Sequence, residues 1–290
     1  MQSGWIILDK AQGLFSRSAS TRVAALFGVK KSGHIGTLDP MATGVLPVAI
    51  GDATKMIPFV GTEHEGIKEY TFSMQFGRET DTLDTTGVTT RRNPFIPGDE
   101  KITEICAKFI GDIMQIPPMY SAVHVNGKRA YKLAREGENI DLTPRRVHIY
   151  ELKYNGFDGK SWNFYVRCGP GTYVRSLGRD IASFCGGLAT VNMIRRVQTN
   201  GFVIKDAVSL DFLENLVNNG TDISKYLMPI DSGLGDIPVL NLTDEDTDLY
   251  KHGGFIKAAG PDGLYRIYNG TTFVGIGSVE DKQLRPKRTI

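Results

Sequence analysis

The stretch KEYTFSMQFG, residues 68–77, alternates with a period of two. Tyr70, Phe72, Met74 and Phe76 fall on one face, and Thr71, Ser73 and Gln75 on the other. Successive side chains of a strand point to opposite sides, so this is the pattern of a half-buried strand. Residues 145–154 and 162–168 (WNFYVRC) read as two further strands, joined by the turn-rich NGFDG of 155–159. Residues 173–185 read as a helix opened by Gly-Pro-Gly-Thr at 169–172. Residues 17–30 read as an amphipathic helix with Val23, Leu26 and Phe27 inward and Gly28 as its stop, and 209–219 carry a short helical pattern. Strands joined by hairpin-like links and followed by helices predict an α+β fold, a mixed and largely antiparallel sheet flanked by helices. Beyond the turn-rich Asp231–Pro238, the pieces Gly263–Tyr268 and Thr272–Ile276 predict a small barrel-like β module. The domain boundary is therefore expected near residue 235, dividing the chain into 1–235 and 236–290.

The 290 residues are 41% hydrophobic and 23% charged, an ordinary globular composition. A net charge of +2 hides an uneven distribution. Lys128 to Arg196 holds 13 Lys/Arg against 6 Asp/Glu, and Lys205 to Tyr250 holds 2 Lys against 10 Asp/Glu. Cys106, Cys168 and Cys185 are distant in sequence and form no CxxC, so they read as small core residues of a reduced compartment. The opening MQSGWIILDK is too short in apolar residues for a secretion signal, and no run approaches a membrane span. A soluble, cytoplasmic protein is expected.

The motifs of several chemistries are missing. There is no GxxxxGK[ST], no complete dinucleotide fingerprint around Gly275 and Gly277, and no GxSxG. Histidines 34, 64, 124, 148 and 252 never stand at HxH or HxxxH spacing, so no metal is expected. What stands out is SGHIGTLDPMATGVLPVAIG, residues 32–51. Glycines 33, 36 and 44 bracket a single acid, Asp39, with Pro40 fixing the dihedral behind it. That describes a structured loop presenting a carboxylate, followed by an apolar segment entering the core. A tight Asp-Pro turn is the plainer reading.

GHIGTLDPMATGVLP resembles the GHTGTLDPxATGVLP signature of the bacterial tRNA pseudouridine synthase B family. The resemblance continues in family order through Leu8-Asp9-Lys10, Tyr70 in KEYTFSMQFG, the TDTLD of 80–84, PPMYSAVHVNGKRAY at 117–131, GTYVR at 171–175 and Ile194-Arg195-Arg196. It covers most of residues 5–200. Residues 239–290 are more weakly similar to the small RNA-binding PUA domain that ends many members. The resemblance implies conversion of uridine to pseudouridine at position 55 in the T-arm loop of tRNA, without cofactor or metal, by a monomer. It implies that Asp39 is the catalytic aspartate, attacking C1′ or removing the C2′ proton. It implies that Arg175 pairs with that aspartate and keeps it ionised, and that Tyr70 stacks on the target base and assists loss of the C5 proton. His34 corresponds to the histidine that helps displace the target nucleotide, Tyr173 lines the base pocket, Ile194 stands for a leucine that touches the base, and Lys10 is a substrate-binding position. Taken singly, each has a plainer role: Tyr70 as a core tyrosine, Arg175 as a phosphate or surface arginine, His34 as a loop histidine.

The basic middle gains a use under this resemblance. Lys128, Arg129, Lys132, Arg135, Arg145 and Arg146 flank an insertion expected at about 124–146 that closes over the T-arm and neutralises phosphates. The sequence departs from the family at Ala11, where proline is usual, at Phe15, where a small hydroxyl residue is usual, at Ile35, where threonine is usual, and at His124, where lysine is common. Two other readings compete. A glycosidase would use Asp39 with Asp81 or Asp84 but calls for sugar-stacking tryptophans, and only Trp5 and Trp162 exist. A non-catalytic tRNA-binding or folding module would leave Asp39, Tyr70 and Arg175 without a purpose.

Overall fold

The computed structural model describes residues 2–61, 66–121, 123–125, 127–138 and 141–290; His64 lies outside them, as does the side chain of Arg135. The chain forms two compact units, one of Met1–Asp39, Val45–Gly66 and Asn200–Ile290, the other of Pro40–Gly44 and Ile67–Thr199.

In the first unit the unbroken apolar run Trp5–Leu8 makes the strand Gly4–Lys10, buried on both faces as such runs are. It pairs in parallel with Val208–Ser209 and lies beside Thr43–Ile50. Ser32–His34 runs antiparallel to that strand, Ser32 opposite Ile50 and His34 opposite Val48. The apolar tail of the glycine-bracketed motif does enter the core: Val45, Ala49, Ala53 and Met56 pack with Trp5, Ile7, Phe202 and Leu234. Trp5 Nε1 donates to the carbonyl of Ile230 at 2.8 Å, satisfying the one polar atom of the largest buried ring. The helix Ser16–Leu26 turns Ser16, Ala19, Ser20, Val23 and Ala24 inward. Leu26, expected inward, is only half-buried, because the helix ends there and the chain swings through Gly28 at φ +64°.

The last fifty residues form a five-stranded sheet in the order Val239–Asn241, Gly263–Asn269, Thr272–Glu280, Gln283–Thr289, Ile256–Lys257, the curled sheet expected of a barrel-like module. The helix Asp244–Lys251 covers it, opened by Thr243, whose hydroxyl accepts from the amide of Asp246. Tyr250, Ile256, Ile267, Val279 and Leu284 make its own core. Ile276 instead joins the Trp5 core, with Leu264, Phe273 and Ile290 packed against it.

The second unit is built on five antiparallel strands in the order Ala189–Thr199, Lys68–Phe76, Trp162–Cys168, Arg145–Phe157, Gly111–Gln115. The alternation of 68–76 is realised: Tyr70, Phe72, Met74 and Phe76 are buried. Their partners continue the face, with Tyr70 between Val166 and Arg196, and Phe72 between Phe164 and Ile194. The rings of Phe72 and Phe164 stack at 4.9 Å. The strand expected at 145–154 runs three residues further, to Phe157, through a register shift after Tyr154. The turn is tighter than NGFDG suggested, because Asp158 Oδ1 accepts the amides of both Lys160 and Ser161 and closes it in four residues. The helix Val174–Phe184 sits on the Tyr70 face with Gly178 against Val191, where a Cβ would lie 2.6 Å from Val191 Cγ2. All three cysteines are free and buried, as expected of core residues. Among the described residues no helix is long and apolar enough to cross a membrane.

Candidate active site

The Asp39 loop is pinned from its own unit. Ser16, buried at the start of the first helix, donates its hydroxyl to the carbonyl of Leu38 at 2.9 Å and accepts the Leu38 amide at 3.0 Å. Both main-chain groups of the residue before Asp39 are thus fixed by one side chain. Upstream, His34 Nε2 lies 3.1 Å from Thr37 Oγ1, and Gly36 takes the left-handed φ of +64° that turns the chain. Ile35 is buried in the Trp5 core, an apolar side chain among apolar neighbours. Asp39 itself is half-buried. Lys10 is fully buried and donates to the carbonyls of Ala11 and Leu14, at 2.9 and 2.7 Å, so it orders the 11–14 loop. Phe15, at the helix N-cap, supplies no side-chain cap and is 60% exposed.

Arg175 lies in the first turn of the helix Val174–Phe184 and is 3% exposed. Its Nη1 donates to the carbonyl of Thr82 and its Nη2 to that of Tyr120, each at 2.9 Å. Its Nε lies 3.7 Å from Asp84 Oδ2, and the side chains of both residues are almost wholly buried. Asp84 is itself held: its Oδ1 accepts from the Thr82 hydroxyl at 2.8 Å and from the amide and hydroxyl of Thr86 at 2.9 and 2.5 Å. The loop carries Leu83 at φ +63°, a conformation a branched side chain adopts at a cost of about 1–3 kcal/mol. Its amide and carbonyl are fixed by Thr80 and Val191. The TDTLD of 80–84 stands out in the sequence, but the pairing of Asp84 with Arg175 is not legible there. Nothing in the spacing links residues 84 and 175.

Tyr70 is buried on the sheet face beneath that helix. Directly opposite it, Arg196 is fully buried and hydrogen-bonded to the Tyr70 phenol. Burial pushes the Arg196 guanidinium below its ordinary pKa, and the interaction with Tyr70 opposes that. Lys68, two residues before Tyr70, is held below the usual lysine range by burial first and by Arg196 second. Arg196 was part of the motif beginning at Ile194, and its position two residues on places it on the same face. Ile194 is buried opposite Phe72, and its carbonyl accepts from Thr43 Oγ1 at 3.4 Å. Tyr173 packs its ring against Val123, Ala130 and Leu142, the small core of the insertion.

The structure places Tyr70, Tyr173, Arg175 and Ile194 in the second unit, with Lys10, His34 and Asp39 in the first. Lys128 and Arg129 form a two-residue strand paired with His124–Val125, and Lys132 lies on the short helix Ala130–Arg135; all three are exposed. Arg145 and Arg146 begin the strand Arg145–Phe157 and are exposed. Arg146 is bonded to Asp112, which also accepts from His148 at 2.9 Å. These two partners, Arg146 first, hold the Asp112 carboxyl at about 2.

Residues 24–174 match the family model for TruB family pseudouridylate synthase (N terminal domain). A tRNA pseudouridine synthase B of Caulobacter sp. is 44% identical over 84% of this chain and 78% of that protein. Those of Gluconacetobacter diazotrophicus and Francisella philomiragia are each 39% identical over 99% of this chain, covering 97% and 94% of their own lengths. Among solved structures, a crystal structure of a Cbf5–Nop10–Gar1 complex aligns with 99% of this chain and 84% of its own, at a TM-score of 0.73 and 22% identity, which is a likeness of fold.

Proposed function

The chain belongs to the TruB family of pseudouridylate synthases, and we propose that it isomerises the uridine at position 55 in the T-arm loop of tRNA. The observation that carries this reading is the Asp39 loop. Ser16 fixes both main-chain groups of Leu38, and Pro40 restricts the backbone of Asp39 before it, so the loop that carries this half-buried carboxylate is held within the family's signature. Asp39 acts at the sugar, through C1′ or through the C2′ proton, once the uridine is flipped out of the loop. The balance is internal: the N1–C1′ bond breaks, a C5–C1′ bond forms, and the proton leaving C5 is matched by one gained at N1. Tyr70 stacks on the base and assists loss of the C5 proton. Arg175 keeps the aspartate ionised; the resemblance to the family supports that role. Lys128, Arg129, Lys132 and Arg145 contact phosphates of the T-arm, and His34, Tyr173 and Ile194 receive the flipped nucleotide. The curled C-terminal sheet, with Lys282, Arg285, Lys287 and Arg288, adds further phosphate contacts.

The test is to incubate the protein with an unmodified tRNA transcript, a chelator and no cofactor, and to map pseudouridine. Product at position 55 is expected from the wild type. Asp39→Asn keeps the shape but removes the charge, and should lose about 10²–10⁴-fold or more in single-turnover rate while tRNA affinity changes only a few-fold. Near-normal turnover by Asp39→Asn would refute the assignment, and product at another uridine would refute the position.

A further inference from the structure

The segment that leads into the insertion has no part in the chemistry above, yet it is laced to the first turn of the Arg175 helix. Gln115, the last residue of the edge strand Gly111–Gln115, is 1% exposed. Its Nε2 donates to the carbonyl of Tyr173 at 3.2 Å, and its Oε1 accepts the Tyr173 amide at 2.8 Å. A carboxamide carries one donor and one acceptor side by side, which is what the main chain of a single residue offers in return. Tyr173 is the N-cap position of the helix Val174–Phe184 and makes no cap with its own side chain. Gln115 therefore supplies from another strand the anchorage that a capping residue gives locally. The next residues continue the lacing. The Ile116 carbonyl accepts from the Ser176 hydroxyl at 2.8 Å and from Arg179 Nη2 at 3.0 Å, and the Tyr120 carbonyl accepts from Arg175 Nη2 at 2.9 Å. On its other side the Tyr173 ring packs on Val123, Ala130 and Leu142 of the insertion.

The geometry points to Gln115 as a positioning residue: its amide fixes the main chain of Tyr173, and through the first helical turn the aim of the Arg175 guanidinium. This rests on the catalytic reading given above. It assigns the glutamine a task that its neighbours do not share: among the described residues no other side chain bonds either main-chain group of Tyr173, whose carbonyl also accepts the helical bond from Leu177.

Two variants of similar length separate positioning from bulk packing. Gln115→Met removes both bonds, and Gln115→Glu keeps the acceptor while setting a carboxylate against the Tyr173 carbonyl. Both are expected to lower the single-turnover rate at saturating tRNA by about 10-fold or more, as small misplacements of reacting groups do. The tRNA Kd should stay within a few-fold, and the far-UV spectrum should be unchanged. In an Arg175→Lys background the Gln115 substitutions should have little further effect, since both act through one group. Hydrogen exchange at the amides of 173–177 should accelerate in both variants while the strand Lys68–Phe76 stays protected. Wild-type turnover by Gln115→Met, full additivity with Arg175→Lys, or unchanged exchange at 173–177 would each overturn the assignment. If the wild type binds tRNA but forms no pseudouridine, the functional reading fails, and the exchange measurement still decides whether Gln115 holds the helix start.

Discussion

At the scale of single residues, Arg175 shows why charge alone is not enough. Two carbonyls in different directions, Thr82 O and Tyr120 O, accept from Nη1 and Nη2, while Nε faces the Asp84 carboxylate at the ion-pair distance of 3.7 Å. An ammonium is a point charge and cannot serve both carbonyls and the carboxylate at once. Arg175→Lys should therefore fold but turn over poorly, and Arg175→Met should also lose stability, by about 3–5 kcal/mol, because Asp84 is left buried without its cation. Urea melts and single-turnover rates on the two variants check this, and equal stability of Arg175→Met and wild type would remove Asp84 as the partner. The opposite case is the exposed Arg146, whose charge is countered by Asp112. Asp112→Asn should free it, raising tRNA affinity and steepening the dependence of log Kd on log salt by roughly one. The Asp112 carboxyl titrates near 2, below its unfolded value, so its interaction is present at neutral pH and is lost only as the pH falls through about 2. An unchanged salt slope in Asp112→Asn would show that Arg146 does not face phosphate.

At the scale of elements, the strand Thr43–Ile50 depends on a glycine where it begins. Gly44 has φ +99°, and a Cβ there would lie 2.1 Å from the carbonyl oxygen of Arg196, its ladder partner. Gly28 has φ +64° with nothing within 4 Å of the same atom. The two sites separate backbone strain from steric contact. Gly28→Ala should cost about 1–2 kcal/mol, the penalty of a left-handed L-residue alone. Gly44→Ala should cost clearly more, because the ladder that sets Arg196 opposite Tyr70 must also shift. Equal thermal stability of the two variants would contradict the close approach at Gly44. The strand Lys68–Phe76 was legible from its alternation because one face is buried and the other is not. The turn at 155–159 differs from its composition at one end, since a register shift carries residues 155–157 into the strand.

At the scale of the whole molecule, the C-terminal sheet is more than an appended module. Ile276 is fully buried in the Trp5 core, with Leu264, Phe273 and Ile290 against it. Deleting 239–290 should therefore expose that core and give a chain that binds hydrophobic dyes and aggregates. Ile276→Ala should cost about 2–5 kcal/mol. A soluble, cooperatively melting fragment of residues 1–238 would show that the first unit closes without the sheet. The contribution of this sheet to RNA binding is better tested in the full chain, by replacing Lys282, Arg285, Lys287 and Arg288 with glutamine and measuring the salt slope.

The sequence by itself determined the α+β class, the buried alternating strand, the loop that presents Asp39, and, through motifs kept in order, the family. Those features are local: periodicity, turn chemistry and short spacings carry them, and they survive in a linear reading. The tertiary structure alone decided which groups hold the machinery. Asp84 on Arg175, Gln115 on Tyr173, Ser16 on Leu38 and Ile276 in the Trp5 core each join residues 22 to 271 positions apart in the chain. A buried donor or acceptor takes whichever partner the fold brings within about 3 Å, and that proximity leaves no mark on the spacing of residues along the sequence.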